Sequence, residues 1–153
     1  MLFKGVMAML EKMKDVMRSQ DMCVLATVTG NKPHCSLMAY VTDEDCRTIY
    51  MITHKNTAKY RNLTANPSLS LLIDTRLMHR GDKRQKAKAL TVNGVFERIE
   101  DADKHSNIVA KFLDRHVHLK QFAHHPDAEV LSVRIQSIQL LDGVTDAYFE
   151  TLE

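Results

Sequence analysis

Residues 49–73, Ile49-Tyr50-Met51-Ile52-Thr53-His54-Lys55-Asn56-Thr57-Ala58-Lys59-Tyr60-Arg61-Asn62-Leu63-Thr64-Ala65-Asn66-Pro67-Ser68-Leu69-Ser70-Leu71-Leu72-Ile73, change their hydrophobic period twice. The apolar run over 48–53 has the length and composition of a strand. Residues 57–65 read as a short helix, closed by Asn66-Pro67 because proline pushes the residue before it out of helical geometry. Residues 68–74 return to a strand. A strand end, a loop and a helix start therefore meet between His54 and Lys59. Backbone N–H groups, the Thr57 hydroxyl and the Lys59 ammonium can converge there on one small dianion such as a phosphate. The competing reading is a solvated helix start capped by Asn56 or Thr57.

Working outward toward the N-terminus, Val6, Met9, Leu10, Met13, Val16 and Met17 recur at helical spacing over 3–19 and predict an amphipathic helix. Six of the nine methionines fall at or before Met22, Met1 included. The helix is expected to pack on its own core, with a partner-subunit groove as the alternative. Residues 22–28 and 34–41 read as a hairpin around Thr29-Gly30-Asn31-Lys32-Pro33, and Asp43-Glu44-Asp45 makes the next turn.

Toward the C-terminus, residues 76–88 form a polar, basic loop. Residues 89–99 make a fifth strand with Asn93-Gly94 at a bend. Asp101 is the expected N-cap of a helix through Ile108, Val109, Phe112 and Leu113 that reaches toward Phe122, and His124-His125-Pro126-Asp127 stops it. In the last strand, 129–141, Leu131, Val133 and Ile135 are apolar on odd positions, whereas Ile138 and Leu140 are apolar on even ones. The change of parity near Gln136-Ser137 predicts a bulge, common where sheets curl into barrels. Six strands and flanking helices define an α+β chain, mainly antiparallel β.

The 153 residues, 44% hydrophobic and 26% charged, suit one domain with its own core. No apolar stretch approaches the ~20 residues of a membrane span, and residues 1–18 mix charge with apolar side chains, so a cytoplasmic location is expected. The odd set Cys23, Cys35 and Cys46 contains no Cys-x-x-Cys pair and reads as reduced thiols, Cys23 and Cys35 serving as small hydrophobes. The net charge of +2 is unevenly spread. Residues 46–88 carry ten basic side chains against two acidic, a net +8, which leaves −6 for the rest. Clustered positive charge points to an anionic partner. The 76–88 loop has no aromatic residue for stacking bases, and no helix-turn-helix or zinc-finger signature is present, so neither nucleic acid nor membrane is the expected partner.

His116, His118, His124 and His125 cluster late in the chain, without a carboxylate or cysteine at motif spacing. They read as a solvated helix end rather than a metal site, with haem ligation as the alternative. Nucleophile-elbow, Walker and Gly-x-Gly-x-x-Gly motifs are absent.

The order of these pieces, from Cys23-Val24-Leu25-Ala26-Thr27-Val28 and Gly30-Asn31-Lys32-Pro33-His34-Cys35-Ser36 through residues 49–73 to Leu90-Thr91-Val92-Asn93-Gly94-Val95-Phe96-Glu97, resembles the pyridoxamine 5′-phosphate oxidase-like family of FMN-binding split barrels. The resemblance implies one split-barrel domain over 1–153, with a six-stranded antiparallel barrel over about 22–141. It also implies a homodimer with two FMN sites at the interface. Carried over by position, Ser36, Leu37 and Met38 run beside the flavin, Ile52 and Thr53 flank its ribityl phosphate, and Thr57 and Lys59 hold the phosphate. Arg76, just after the fourth strand, replaces a positive charge that the oxidase has and this chain lacks. Ala58 stands where the oxidase has arginine, Val41 where it has lysine and Ala89 where a partner glutamine contributes. The oxidase's Arg-x-Arg-Asp-Ser segment and C-terminal tryptophan are missing. The resemblance therefore implies a flavin oxidoreductase acting on a small substrate other than pyridoxine phosphate. The alternatives are a non-catalytic flavin or haem module and a reductase using the deazaflavin F420.

Overall fold

The computed structural model describes residues 2–152, so Met1 and Glu153 lie outside the described residues. The chain opens with α1 (Leu2–Ser19), followed by β1 (Met22–Thr29), β2 (Lys32–Ala39), the two-residue β3 (Val41–Thr42) and β4 (Thr48–His54). Helix α2 (Ala58–Ala65) leads into β5 (Ser68–Asp74), and a 3₁₀ turn (Gly81–Lys86) precedes β6 (Lys88–Glu97). Then come α3 (Ala102–Arg115), a 3₁₀ turn (Val117–Leu119), α4 (Lys120–Ala123), β7 (Ala128–Asp142) and β8 (Asp146–Thr151). The strands form one antiparallel sheet in the order β2-β1-β5-β6-β7-β4-β3, with β8 on β7, curled into a half-barrel flanked by helices.

The expected six strands become eight. Val41 does not prolong β2: it pairs with Tyr50 of β4, so the chain changes partners at the buried Tyr40. The second addition, β8, returns through Gly143 (φ 73) and pairs with the far half of β7. This is possible because β7 is 15 residues long: its first half pairs with β4 and its second with β8, while β6 runs along the other edge.

The expected irregularity in β7 is present. Asn93 is opposite Ser137 but Gly94 is opposite Ile135, leaving Gln136 as the extra residue. Leu131, Val133 and Ile135 before it, and Ile138 and Leu140 after it, all face the core. Gly94 is required there, because a Cβ would lie 2.6 Å from the Arg134 carbonyl oxygen and 2.8 Å from Val133 Cγ1.

Met13, Val16 and Met17 of α1 join Leu25, Met51, Leu71, Leu90, Leu131 and Ile138 in the main core, so the helix packs on its own chain. A smaller cluster of Val41, Tyr50, Ile52, Ile108, Phe112, Ala123 and Val130 lies on the other side of β4, under α3. Strand β4 is thus covered on both faces, which explains why residues 49–53 read as a continuous apolar run.

Asp101 caps α3, its Oδ1 accepting from the Lys104 N–H at 2.8 Å. The helix ends at Arg115 instead of reaching Phe122. The cause is His116, whose buried ring places Nε2 2.9 Å from the Tyr40 carbonyl oxygen and so draws the chain onto the β2–β3 junction. Cys23 and Cys46 are buried, but Cys35 is exposed on the edge strand β2 and does not pack as a hydrophobe. Among the described residues no helix is long and apolar enough to cross a membrane.

Candidate functional site

Strand β4 delivers the chain to the turn before α2, and Thr57 organises that turn. Its hydroxyl donates to the His54 carbonyl at 2.9 Å, accepts from the Tyr60 N–H at 3.4 Å and lies 3.2 Å from Thr53 Oγ1. With its one proton on His54, Thr57 is the acceptor from Thr53, and a hydroxyl with one donor and two acceptor positions is then fully used. Thr57 holds the turn in shape. Asn62, buried on α2, donates to Thr27 Oγ1 of β1 at 3.1 Å, and Leu63 enters the core, so the helix start is held against the sheet.

The N-terminus of α2 is open for binding. The Tyr60 and Arg61 N–H groups are taken by Thr57, through its hydroxyl and carbonyl respectively. The N–H groups of Ala58 and Lys59 have no acceptor within the helix. Lys59 is half-buried, and no carboxylate among the described residues lies within ion-pair distance of it. Lys55, one turn earlier, is paired with Glu129 at 3.7 Å.

Lys59 stands at the edge of a cleft of about 250 Å³ between the sheet and the α3–α4 segment. Leu37, Met38, Ile52, Thr53 and Lys59, five of the residues singled out in the sequence, line it. Thr57 is joined to it through the Thr53 hydroxyl. Ser36 is not on its lining; it sits one residue earlier on β2, opposite Leu25 of β1.

Arg76 is not there either. It lines a neighbouring cleft with Leu72, Asp74 and Leu77, and its guanidinium grips Asp74, with Nε 2.9 and 3.0 Å from the carboxylate oxygens and Nη2 2.8 Å away. That bonding raises the Arg76 pKa. In a single chain, Arg76 therefore does not supply charge at Lys59.

The opposite wall consists of Phe112, His118, Leu119 and Phe122, of which the sequence reading weighs only His118 as a ligand, in the haem alternative. The histidine cluster contained the one available signal. Its members separate: His116 is a buried structural residue, His118 faces the cleft, and His125 stacks on His54 at 4.6 Å. His54 also stacks on Phe122 at 4.1 Å, and its Nε2 is 3.0 Å from the Phe122 carbonyl oxygen, which ties the far wall to the end of β4. Among the described residues no three His, Cys, Asp or Glu side chains are grouped to hold a metal ion. An apolar slot ending at unpaired N–H groups and an unpaired ammonium can hold a flat ring carrying a terminal anion.

Curled antiparallel sheet and covering helices define a protein of the split-barrel class. The sequence model of pyridoxamine 5′-phosphate oxidase matches residues 9–142, and the chain belongs to that family. No curated protein matches it significantly by sequence.

Solved structures share the fold. General Stress Protein 26 from Bacillus anthracis is 22% identical with a TM-score of 0.72, over 94% of this chain and 98% of that one. A haem-binding protein from Mycobacterium smegmatis is 21% identical with a TM-score of 0.77; the match covers 89% of this chain but 56% of that protein. An FAD-binding protein from Mesorhizobium loti is 17% identical with a TM-score of 0.68, over 83% of this chain and 89% of that one. The last two are described as binding different ligands, haem and FAD, on one architecture, so the choice of ligand rests on the site.

Proposed function

We propose that this chain binds flavin mononucleotide in the Lys59 cleft and acts, as a cytoplasmic homodimer, as a flavin-dependent oxidoreductase on a small substrate. The observation that carries the reading is Lys59, a half-buried ammonium without a carboxylate at an uncapped pair of helix N–H groups. A partly desolvated, unpaired charge is costly unless an anion answers it. A phosphate there would accept from Lys59 and from the Ala58 and Lys59 N–H groups, with Thr53 and Thr57 holding the turn. Leu37, Met38 and Ile52 would lie along the attached ring system, with Ser36 continuing the β2 edge beside it. FMN, when bound, supplies the redox chemistry. The side chains of the cleft bind and orient.

Three free cysteines support a reducing compartment. The second subunit is supported by the outer face of the sheet. Register places Leu37, Val24, Leu72, Thr91, Gln139 and Phe149 in one row across β2-β1-β5-β6-β7-β8. Leu37 is 71%, Leu72 37% and Phe149 62% exposed, a surface that a second copy would cover. Ala58 and Ala89, together with the missing Arg-x-Arg-Asp-Ser segment, argue against pyridoxine phosphate as substrate.

Adding FMN to the purified protein should change flavin fluorescence with one equivalent per chain, and light scattering should give the mass of two chains. Lys59→Ala should weaken binding tenfold or more while the circular dichroism spectrum stays the same. Colourless protein that leaves FMN fluorescence unchanged sinks the proposal. His118 in the cleft wall favours a second reading, haem binding without turnover. A Soret shift on haem addition that His118→Ala abolishes would support that reading over the first.

A further inference from the structure

Three residues of the wall opposite Lys59, His118, Leu119 and Phe122, belong to the short stretch that His124-His125-Pro126-Asp127 brings to an end. Helix α4 within it is four residues long, too short to hold its own position without tertiary contacts. The stretch is anchored at both ends by an imidazole on a backbone carbonyl. Upstream, the buried His116 donates from Nε2 to the Tyr40 carbonyl oxygen at 2.9 Å. Downstream, His54 donates from Nε2 to the Phe122 carbonyl oxygen at 3.0 Å. A carbonyl oxygen only accepts, so both rings carry a proton on Nε2.

The two anchors differ in their surroundings. His116 is enclosed between α3 and the β2–β3 junction, whereas His54 stands between two other rings. Phe122 lies 4.1 Å from it with 14° between the planes, and His125 lies 4.6 Å from it with 20° between the planes. Three nearly parallel rings are therefore stacked. The last of them is fixed in turn, because His125 Nδ1 accepts from the Asp127 N–H at 3.0 Å and the Asp127 carbonyl accepts from the Lys55 N–H at 2.9 Å. The stack thus closes back onto the residue after His54.

His54 does not line the cleft. Phe122, which it holds through both ring and carbonyl, does line it and remains 37% exposed. A phenyl ring backed by a fixed imidazole and bordering a cleft is a platform for a flat aromatic ring. Both ends of the site therefore start from one strand end. The His54 backbone carbonyl accepts from Thr57 and shapes the turn before α2, while the His54 side chain holds Phe122.

We propose that His54 is a positioning residue that holds Phe122 as the ring-recognising wall of the Lys59 cleft, so that ring binding depends on the His54 side chain and anion binding does not. The inference rests on the proposed function and deepens it by naming the residues that select an aromatic ring joined to a phosphate.

The test is calorimetric titration of the full chain with FMN and, separately, with inorganic phosphate. His54→Ala should weaken FMN binding about fivefold or more, the loss of one ring platform. Inorganic phosphate affinity should change by less than about twofold, since the carbonyl that Thr57 uses stays in place. Phe122→Ala should give the same selective loss, and adding His54→Ala to it should cost less than about a further twofold, because His54 acts through Phe122. Unchanged FMN affinity in His54→Ala overturns the inference. Equal losses for FMN and phosphate also overturn it, because His54 would then serve the turn, and so do losses that multiply in the double variant. Should His54→Ala not fold, Phe122→Ala decides: selective loss of FMN supports the inference, and equal or no loss overturns it.

Amide hydrogen exchange of the ligand-free chain separates this inference from the flavin reading. Residues 117–122 should exchange about fivefold faster or more in His54→Ala than in wild type, and residues of α2 should not. That result in a chain that fails to bind FMN refutes the flavin reading and leaves the wall assigned to His54. Unchanged exchange at 117–122 overturns the inference even where FMN binds normally.

Discussion

The two faces of the curled sheet are built from alternate residues of the same strands, and they have opposite chemistry. Facing inward, Leu25, Leu71, Val92 and Ile138 are sealed under Met13 and Met17 of α1, and every buried side-chain polar atom among the described residues has a hydrogen-bond partner. Their immediate neighbours Val24, Leu72, Thr91 and Gln139 face outward, on a side that leaves Leu37, Leu72 and Phe149 exposed. The interior is satisfied and carries stability. The outer face leaves apolar side chains in solvent and is the surface proposed to meet a second copy.

The strongest way to break this division is to disturb the bulge that keeps the faces in phase. Gly94→Val should cost on the order of 3 kcal/mol or more and leave little soluble protein, because the added side chain would run into the backbone of Arg134. A melting temperature within a few degrees of wild type would show that the register does not depend on Gly94. Next in size, Met17→Ala should lower stability by about 2–5 kcal/mol in urea unfolding, as expected for truncating a fully buried side chain. The Tyr40 hydroxyl would keep its 2.6 Å bond, since it donates to the Met17 backbone carbonyl.

The smallest effect is on pH dependence. Burial pushes the Cys23 thiol up from 9.0 to about 12, so the native state holds that proton more tightly than the unfolded chain does. The associated stability is fully present below pH 9 and is lost as pH rises toward 12, with a slope of up to about 1.4 kcal/mol per unit for one group. Tyr40, raised chiefly by burial, adds a loss of the same sign above pH 10. Cys23→Ala should flatten the melting-temperature profile between pH 9 and 10, and an unchanged profile would place the alkaline loss elsewhere.

Much of this arrangement was legible in the chain. The strand–helix–strand reading of residues 48–74 matches β4, α2 and β5, Thr57 is the cap, and the parity change at Gln136-Ser137 is the observed bulge. Each is a local signal: a turn residue, a proline, a switch of period. What was not legible depended on distant partners. Cys35 resembles Cys23 in sequence, but one lies on an edge strand and the other inside. Val41 pairs with Tyr50 because the sheet turns at Tyr40. The break in the α3–α4 segment comes from the bond between His116 and the Tyr40 carbonyl, 76 residues apart in the chain.

The candidate site divides in the same way. Leu37, Met38, Ile52, Thr53 and Lys59, which the family resemblance groups around one ligand, line one cleft. Arg76 does not, because Asp74, two residues before it, holds its guanidinium in the neighbouring cleft. Phe112, Leu119 and Phe122 join the site only because α3 and α4 fold over β4, and His118, weighed from the sequence as a haem ligand, meets the cleft for the same reason.

By itself the sequence determined the alternation of each strand, the helix caps and the positive middle segment, since backbone sterics and side-chain charge act over a few residues. Only the tertiary structure decided which lysines lost their water without gaining a carboxylate. Lys59 and Lys88 are half-buried with no ion pair among the described residues, whereas the other basic residues of that segment are exposed, and that burial is set by strands and helices distant in the chain.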